Sequence, residues 1–306
     1  MSAPATGPLR PDLMDPRTLA ALGRLEVISR WLVDGVLNGL HRSPKKGFSV
    51  EFAEHRAYQP GDDLRLMDWK VAARADKWLI KQYEEETNLR ATIVLDVSKS
   101  MDWASAPTLL TKRQYAEQVV AALSLLLLRQ RDAVGLIRFD DQIRSAIKPA
   151  SRQLQFTRLV AALGESGGGP ASDAGSALRQ AAQAVKRRGM VVLVSDLLLD
   201  PQDVDDAVRV LRAQGHDVAV LHILDPAERS FELGVGESLF VDTEGGESLA
   251  ATPAEVREAY VETVAEAMAE WRARLSASGA VYEPILTTEP FGVPLRRAFA
   301  RRQRLP

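Results

Sequence analysis

Cysteine is absent from the 306 residues, which excludes disulfides, thiolate metal centres and cysteine nucleophiles and fits a reducing cytoplasm. An excess of one charge is also missing. The chain has 39 Lys and Arg against 41 Asp and Glu, a net charge of -2, so no overall field draws it to nucleic acid or to an anionic membrane. Long apolar runs are missing too. A bilayer span needs about 20 mostly apolar residues, and the richest run, Val119–Leu128 (VVAALSLLLL), is shorter and bounded by Glu117 and Arg129. The N-terminal MSAPATGPLRPDLMDP lacks a basic stretch followed by an apolar one and does not read as a signal peptide. A soluble cytoplasmic protein is expected. Histidine is sparse: His41, His55, His216 and His222 are scattered without ligand spacing, and His222 inside VLHIL reads as a satisfied interior residue. No G-x-x-x-x-G-K-[ST] phosphate loop occurs.

Apolar residues are plentiful, at 46%, enough for one large domain with additions. Residues 1–15 read as a disordered lead. The segment 16–88 opens with a helix from Pro16 to about Leu40, with Asp15 as N-cap and Pro16 at the first helical position. It continues as a polar stretch whose shape periodicity does not settle. From 89 to 226 the pattern is regular. Strands are expected at Ala91–Val97, Ala133–Phe139, Ile143–Ile147, Val191–Ser195 and Val218–Leu224. Helices are expected at Thr111–Arg129, Arg152–Leu163, Asp173–Arg188 and Gln202–Gln214. This alternation predicts an α/β fold: a mostly parallel sheet with helices on both faces. The last part, 227–306, reads as an extension packing on the same domain. It holds an edge strand at Ser238–Thr243, a long helix from Pro253 to about Ser278, a strand at Val281–Leu286 and a basic terminal helix, LRRAFARRQR.

In open α/β sheets ligands gather at the carboxyl ends of the strands, where strand order reverses. Asp96-x-Ser98-x-Ser100 follows the first regular strand there, Ser172 lies in the glycine-rich ESGGGPASD before a helix, and Asp196 directly follows VVLVS. Two carboxylates and three hydroxyls are hard oxygen donors, suited to Mg²⁺ or Mn²⁺. An ion held directly by serines and partly through water by aspartates keeps much of its charge and has use for one more anionic oxygen. That chemistry describes adhesion better than catalysis. Taken singly, each residue has a plainer reading, such as a strand-end cap, a turn serine or, at Asp173, a helix cap.

DVSKS, SDAGSAL and the SD after an apolar strand resemble the metal-ion-dependent adhesion site of von Willebrand factor A domains. The resemblance implies Asp96, Ser98, Ser100, Ser172 (in a position usually Thr) and Asp196 as ligands in a von Willebrand A-like, Rossmann-like fold. A phosphatase with an aspartate nucleophile is the competing enzyme reading. It needs a second acid two residues after the first, where Ser98 stands.

Residues 51–88 are dense in pairable charge interleaved with Phe52, Tyr58, Trp69 and Trp78. Such a mix describes an Arg–carboxylate network pinning an irregular segment to a domain face, or a recognition surface for an acidic partner. The run Arg56-Ala-Tyr58-Gln-Pro-Gly61-Asp62-Asp63-Leu-Arg65-Leu-Met-Asp68-Trp69, then Ala73-Arg74, resembles the signature of the bacterial family called domain of unknown function 58. KQYEEETN, LDVSKSM, LVSDLL and HILDPAE extend the resemblance over roughly residues 40–300. It implies a non-enzymatic, chaperone-like adaptor that works with a MoxR-type AAA+ ATPase or its client, with Arg56, Arg65, Asp68, Trp69 and Arg74 as candidate partner contacts. Many relatives carry N-terminal transmembrane helices, and this chain resembles a shorter soluble branch. Two alternatives stay open: a metal-dependent, phosphoesterase-like hydrolase, and a scaffold whose metal site is empty. The tail arginines Arg296, Arg297, Arg301, Arg302 and Arg304 have no aromatic stacking platform beside them, and no nucleic-acid role is expected.

Overall fold

The computed structural model describes residues 50–59, 67–69, 71, 74, 78–85, 89–152, 154–165, 167, 174–233, 238–241 and 248–290. The lead, the helix expected over residues 16–40 and the basic terminal helix lie outside them. The polar stretch whose shape the sequence left open contributes an antiparallel pair, β1 (Val50–Ala57) with β2 (Leu79–Glu85), whose register shifts between Phe52 and Glu54.

Four apolar runs make the centre of the molecule. These are β3 (Arg90–Asp96), β4 (Ala133–Phe139), β6 (Met190–Ser195) and β7 (Asp217–Leu224), each buried along nearly its whole length. Between them, β5 (Ile143–Ala150) alternates half-buried and exposed residues, as an edge strand does. With β10 (Val281–Leu286) they form one six-stranded sheet in the order β10-β7-β6-β3-β4-β5. All pairings are parallel except β4 with β5, which is a hairpin. Gly135 permits that hairpin's register shift, because a Cβ there would sit 2.6 Å from the Ile147 carbonyl oxygen. Ser238–Val241 (β8), expected as an edge strand, pairs with Ser248–Ala251 (β9) in a separate two-stranded unit.

Strands buried on both faces require helices on both. Alternate residues of β3 point to opposite sides. Ile93 and Leu95 join Val119, Leu123 and Leu127 of α1 (Lys112–Arg129) and Leu159 and Leu163 of α2 (Gln155–Leu163). Val94 faces the other core, with Ala177 and Leu178 of α3 (Ala174–Ala184) and Val204, Val208 and Leu211 of α4 (Pro201–Ala213). The helix starts are encoded locally. Thr111 and Gln114 form a reciprocal capping box on α1, and Asp200 caps α4 ahead of Pro201. Asp225 and Glu228 form a second box on the short α5 (Pro226–Ser230). The long α6 (Pro253–Ala277) buries only Pro253 at its start and Trp271 and Leu275 near its end.

The chain leaves β3 for β4 and β5 on one side and returns to β6 on the other. Strand order therefore reverses between β3 and β6, and the crevice at their carboxyl ends is where this topology gathers ligand-binding groups.

Candidate metal and docking site

Asp96 is the last residue of β3, and Ser195, the last of β6, lies beside it. The Ser195 hydroxyl donates to Asp96 Oδ2 at 2.7 Å and accepts the Leu197 N–H at 3.0 Å. Asp96 Oδ1 accepts the Ser98 N–H at 2.9 Å. Ser98 precedes a single 3₁₀ turn, Lys99–Asp102, which brings Ser100 back so that the Ser98 and Ser100 hydroxyl oxygens are 3.1 Å apart. Asp96, Ser98 and Ser100 are 0%, 1% and 6% exposed. The loop from β3 thus brings three of the five sequence-identified residues together, and Asp196 follows Ser195 on the neighbouring strand. Ser172 and Asp173 lie outside the described residues.

Burial pushes the Asp96 carboxyl up to about 7, and the charge of Asp196 adds to the rise, while hydrogen bonds from Ser98 and Ser195 oppose it. Among the described residues no cation pairs with Asp96. Asp196 is held differently. Its Oδ2 accepts from Lys112 Nζ at 2.8 Å, and its Oδ1 accepts the Leu198 N–H at 3.3 Å. Lys112 is 1% exposed, reaches Glu228 Oε1 at 2.5 Å, and lies 5.9 Å from the Trp103 ring centroid. Burial alone would depress its amine, but Asp196 and Glu228 outweigh that and raise it, so it stays an ammonium. Burial raises Glu228, with Lys112 pulling it back. Leu197, between the two hydrogen-bonded turns, has φ 54°, a left-handed conformation that costs a non-glycine residue about 1–2 kcal/mol. It is tolerated because Ser195 and Asp196 bind the amides on either side of the turn.

Lys112, Ser195 and Glu228 escape a motif search because each joins the cluster from a different element. Arg138, inside the apolar run of β4, is a fourth. Fully buried, it donates to the Glu165 carboxylate at 3.1 Å and the Glu165 carbonyl at 2.6 Å, anchoring the start of the glycine-rich loop. A charged residue in an otherwise apolar strand is the signal that could have found it. His222 is a satisfied interior residue, as its context suggested. Its Nδ1 is 2.7 Å from the Tyr282 hydroxyl, and burial lowers it to about 4.

Among the described residues no three carboxylates or imidazoles are grouped to hold a metal, so an ion here depends on the hydroxyls. A buried carboxylate without a cation, beside two converging hydroxyls, is a donor set that fits a hard divalent ion such as Mg²⁺ or Mn²⁺. Asp196 fits less freely, with one oxygen committed to Lys112.

The signature segment divides by exposure. Asp68 is buried; it accepts the Val71 N–H on Oδ1 at 3.2 Å, and its own N–H donates to the Leu79 carbonyl at 2.9 Å. Trp69 is 62% exposed, and Arg74 is exposed as well. Arg56, in β1, pairs with Ile80 of β2, its side chain lying outside what is described, as does all of Arg65. Trp78, also exposed, meets Tyr58 edge-on at 5.8 Å.

The sequence profile of the family described as "Protein of unknown function DUF58" matches residues 54–270. Uncharacterized proteins of Mycobacterium tuberculosis and Mycobacterium bovis are each 34% identical over 242 residues, covering 78% of this chain and 74% of theirs. Among solved structures, conserved hypothetical protein BatB from Bacteroides thetaiotaomicron is similar at 14% identity and TM-score 0.45. The likeness covers 71% of this chain and 99% of that one. The SpRpn10 VWA domain is similar at 14% identity and TM-score 0.39, covering 68% and 95%. Among the described residues no helix is long and apolar enough to cross a membrane.

Proposed function

We infer that this chain, which belongs to the family of proteins of unknown function DUF58, is a non-enzymatic protein-binding module that docks an acidic side chain of its partner through a divalent cation. The observation that carries this reading is Asp96: fully buried, with no cation paired to it among the described residues, and flanked by the Ser98 and Ser100 hydroxyls. Asp96, Ser98 and Ser100, with Ser172 and Asp196, would hold Mg²⁺ or Mn²⁺. The bound ion would supply positive charge and a coordination position for a carboxylate from outside. Ser195 fixes one oxygen of Asp96 and the Ser98 amide fixes the other. Each oxygen keeps a lone pair for the ion or for a water on it. Arg138 holds the root of the loop that carries Ser172.

A phosphoesterase would instead present a carboxylate to substrate. The burial of Asp96 and the hydrogen bonds to both its oxygens favour the binding reading. The partner class rests on the family resemblance: a MoxR-type AAA+ ATPase or its client, met in the cytoplasm. The test uses the immobilised chain and such an ATPase from the same genome. Retention in Mg²⁺ that is lost in EDTA and in a folded Asp96→Ala variant is the expected result. Retention that survives both changes, or turnover of a generic phosphoester that Asp96→Asn abolishes, would overturn the reading.

A further inference from the structure

Among the residues whose burial is described, Lys112 is the only buried lysine, and it sits at the first position of an 18-residue helix. Both facts work against an ammonium there. Burial strips its water, and the helix N-terminus already carries partial positive charge. Packing alone would be served as well by methionine, since a buried ion pair exchanged for apolar side chains of like volume is often neutral or stabilising. What the ammonium does that methionine cannot is bind Asp196 Oδ2 at 2.8 Å and Glu228 Oε1 at 2.5 Å. Asp196 is the last carboxylate assigned to the cation site. With Oδ1 taken by the Leu198 amide and Oδ2 by Lys112, both of its oxygens are already engaged.

We propose that Lys112 sets the cation affinity of this site: it is a tethered ammonium that shares Asp196 with the divalent ion and weakens the ion's hold. This rests on the divalent-ion reading above. A lysine and an ion drawing on one carboxylate repel each other, so the site takes up metal weakly and releases it readily. Glu228, delivered by the capping box of α5, balances the lysine charge and keeps it seated. The short helix after β7 is thereby wired to the end of β6. Lys112 is a positioning residue and not one of the ligands.

The experiment is a Mn²⁺ titration of the full chain, followed by the electron paramagnetic resonance of the free ion, with Mg²⁺ as competitor. Wild type is compared with Lys112→Met and with Lys112→Met/Glu228→Gln. The second variant removes one charge of each sign and so guards against a single variant that does not fold. Folding is checked by circular dichroism. The expected result is Mn²⁺ binding at least about tenfold tighter in the folded variants, because in both the ammonium that competes with the ion for Asp196 Oδ2 has been removed. Binding to the variants but not to wild type would overturn the divalent-ion reading of the native chain and, with it, the sharing of Asp196 between Lys112 and a bound ion. Wild-type binding matched within a factor of about two by the folded variants would overturn this proposal alone. Absence of binding in all three would overturn both.

Discussion

Removing the Lys112 ammonium should destabilise the fold far more than its size suggests. Lys112→Met retains most of the side-chain volume but leaves two carboxylates, Asp196 at 2% and Glu228 at 20% side-chain exposure, without their cation. Breaking a buried pair by deleting one partner costs about 3–5 kcal/mol, mostly as the penalty on the charge left behind. Glu228 already titrates high through burial, so it can take up a proton when the lysine is lost, and the cost should be smaller at pH 5 than at pH 8. Lys112→Met/Glu228→Gln removes most of the imbalance and should recover about 2 kcal/mol or more relative to the single variant, appearing as non-additivity in a double-mutant cycle. Urea denaturation in EDTA, followed by far-UV circular dichroism, reads this as midpoint shifts at constant m. A loss below about 1 kcal/mol in Lys112→Met, or additive effects in the cycle, would show that the ammonium is not the counter-charge of both acids.

Two further outcomes follow from other buried groups. Burial pushes Glu117 from 4.5 up to about 7, with Arg113 and Arg138 pulling it back and Asp102 adding to the rise. Between those values the unfolded chain has lost this proton and the folded chain keeps it, so stability falls as pH climbs through that window. Glu117→Gln should therefore raise the unfolding free energy above pH 7 by on the order of 3 kcal/mol and leave it unchanged below pH 4; an equal gain at both would contradict the assignment. Gly135→Ala places its Cβ 2.6 Å from Ile147 O and 2.7 Å from Pro149 N, both backbone atoms. A loss of about 1–3 kcal/mol in thermal unfolding is expected, and a neutral substitution would mean that β5 moves aside freely.

The layers of the fold were legible because each buried strand is an apolar run and two of the helices that cover the sheet carry their own start signals. Thr111–Gln114 and Asp200-Pro201 mark helix starts at the positions found. The neighbour of a strand is not written in its own residues. The run Val281–Leu286 announces a strand, but only tertiary packing places it beside β7, and the same holds for the separate pairing of β8 with β9. Asp96, Ser98 and Ser100 were readable as a motif because one loop carries all three. Lys112 was not, since its partners lie 84 and 116 residues away and a lysine at a helix start ordinarily faces water. Glu228 left a local trace, the D-P-A-E capping box, which explains its helix and says nothing of the lysine it meets.

The central claim is that Asp96, Ser98 and Ser100 form one side of a divalent-cation site. A crystal of the chain soaked in Mn²⁺ and measured at the manganese absorption edge tests it most directly. An anomalous peak within coordination distance of the Ser98 and Ser100 hydroxyl oxygens, next to Asp96, is the expected result. A map with no peak there, or with manganese bound only at surface carboxylates, would contradict it.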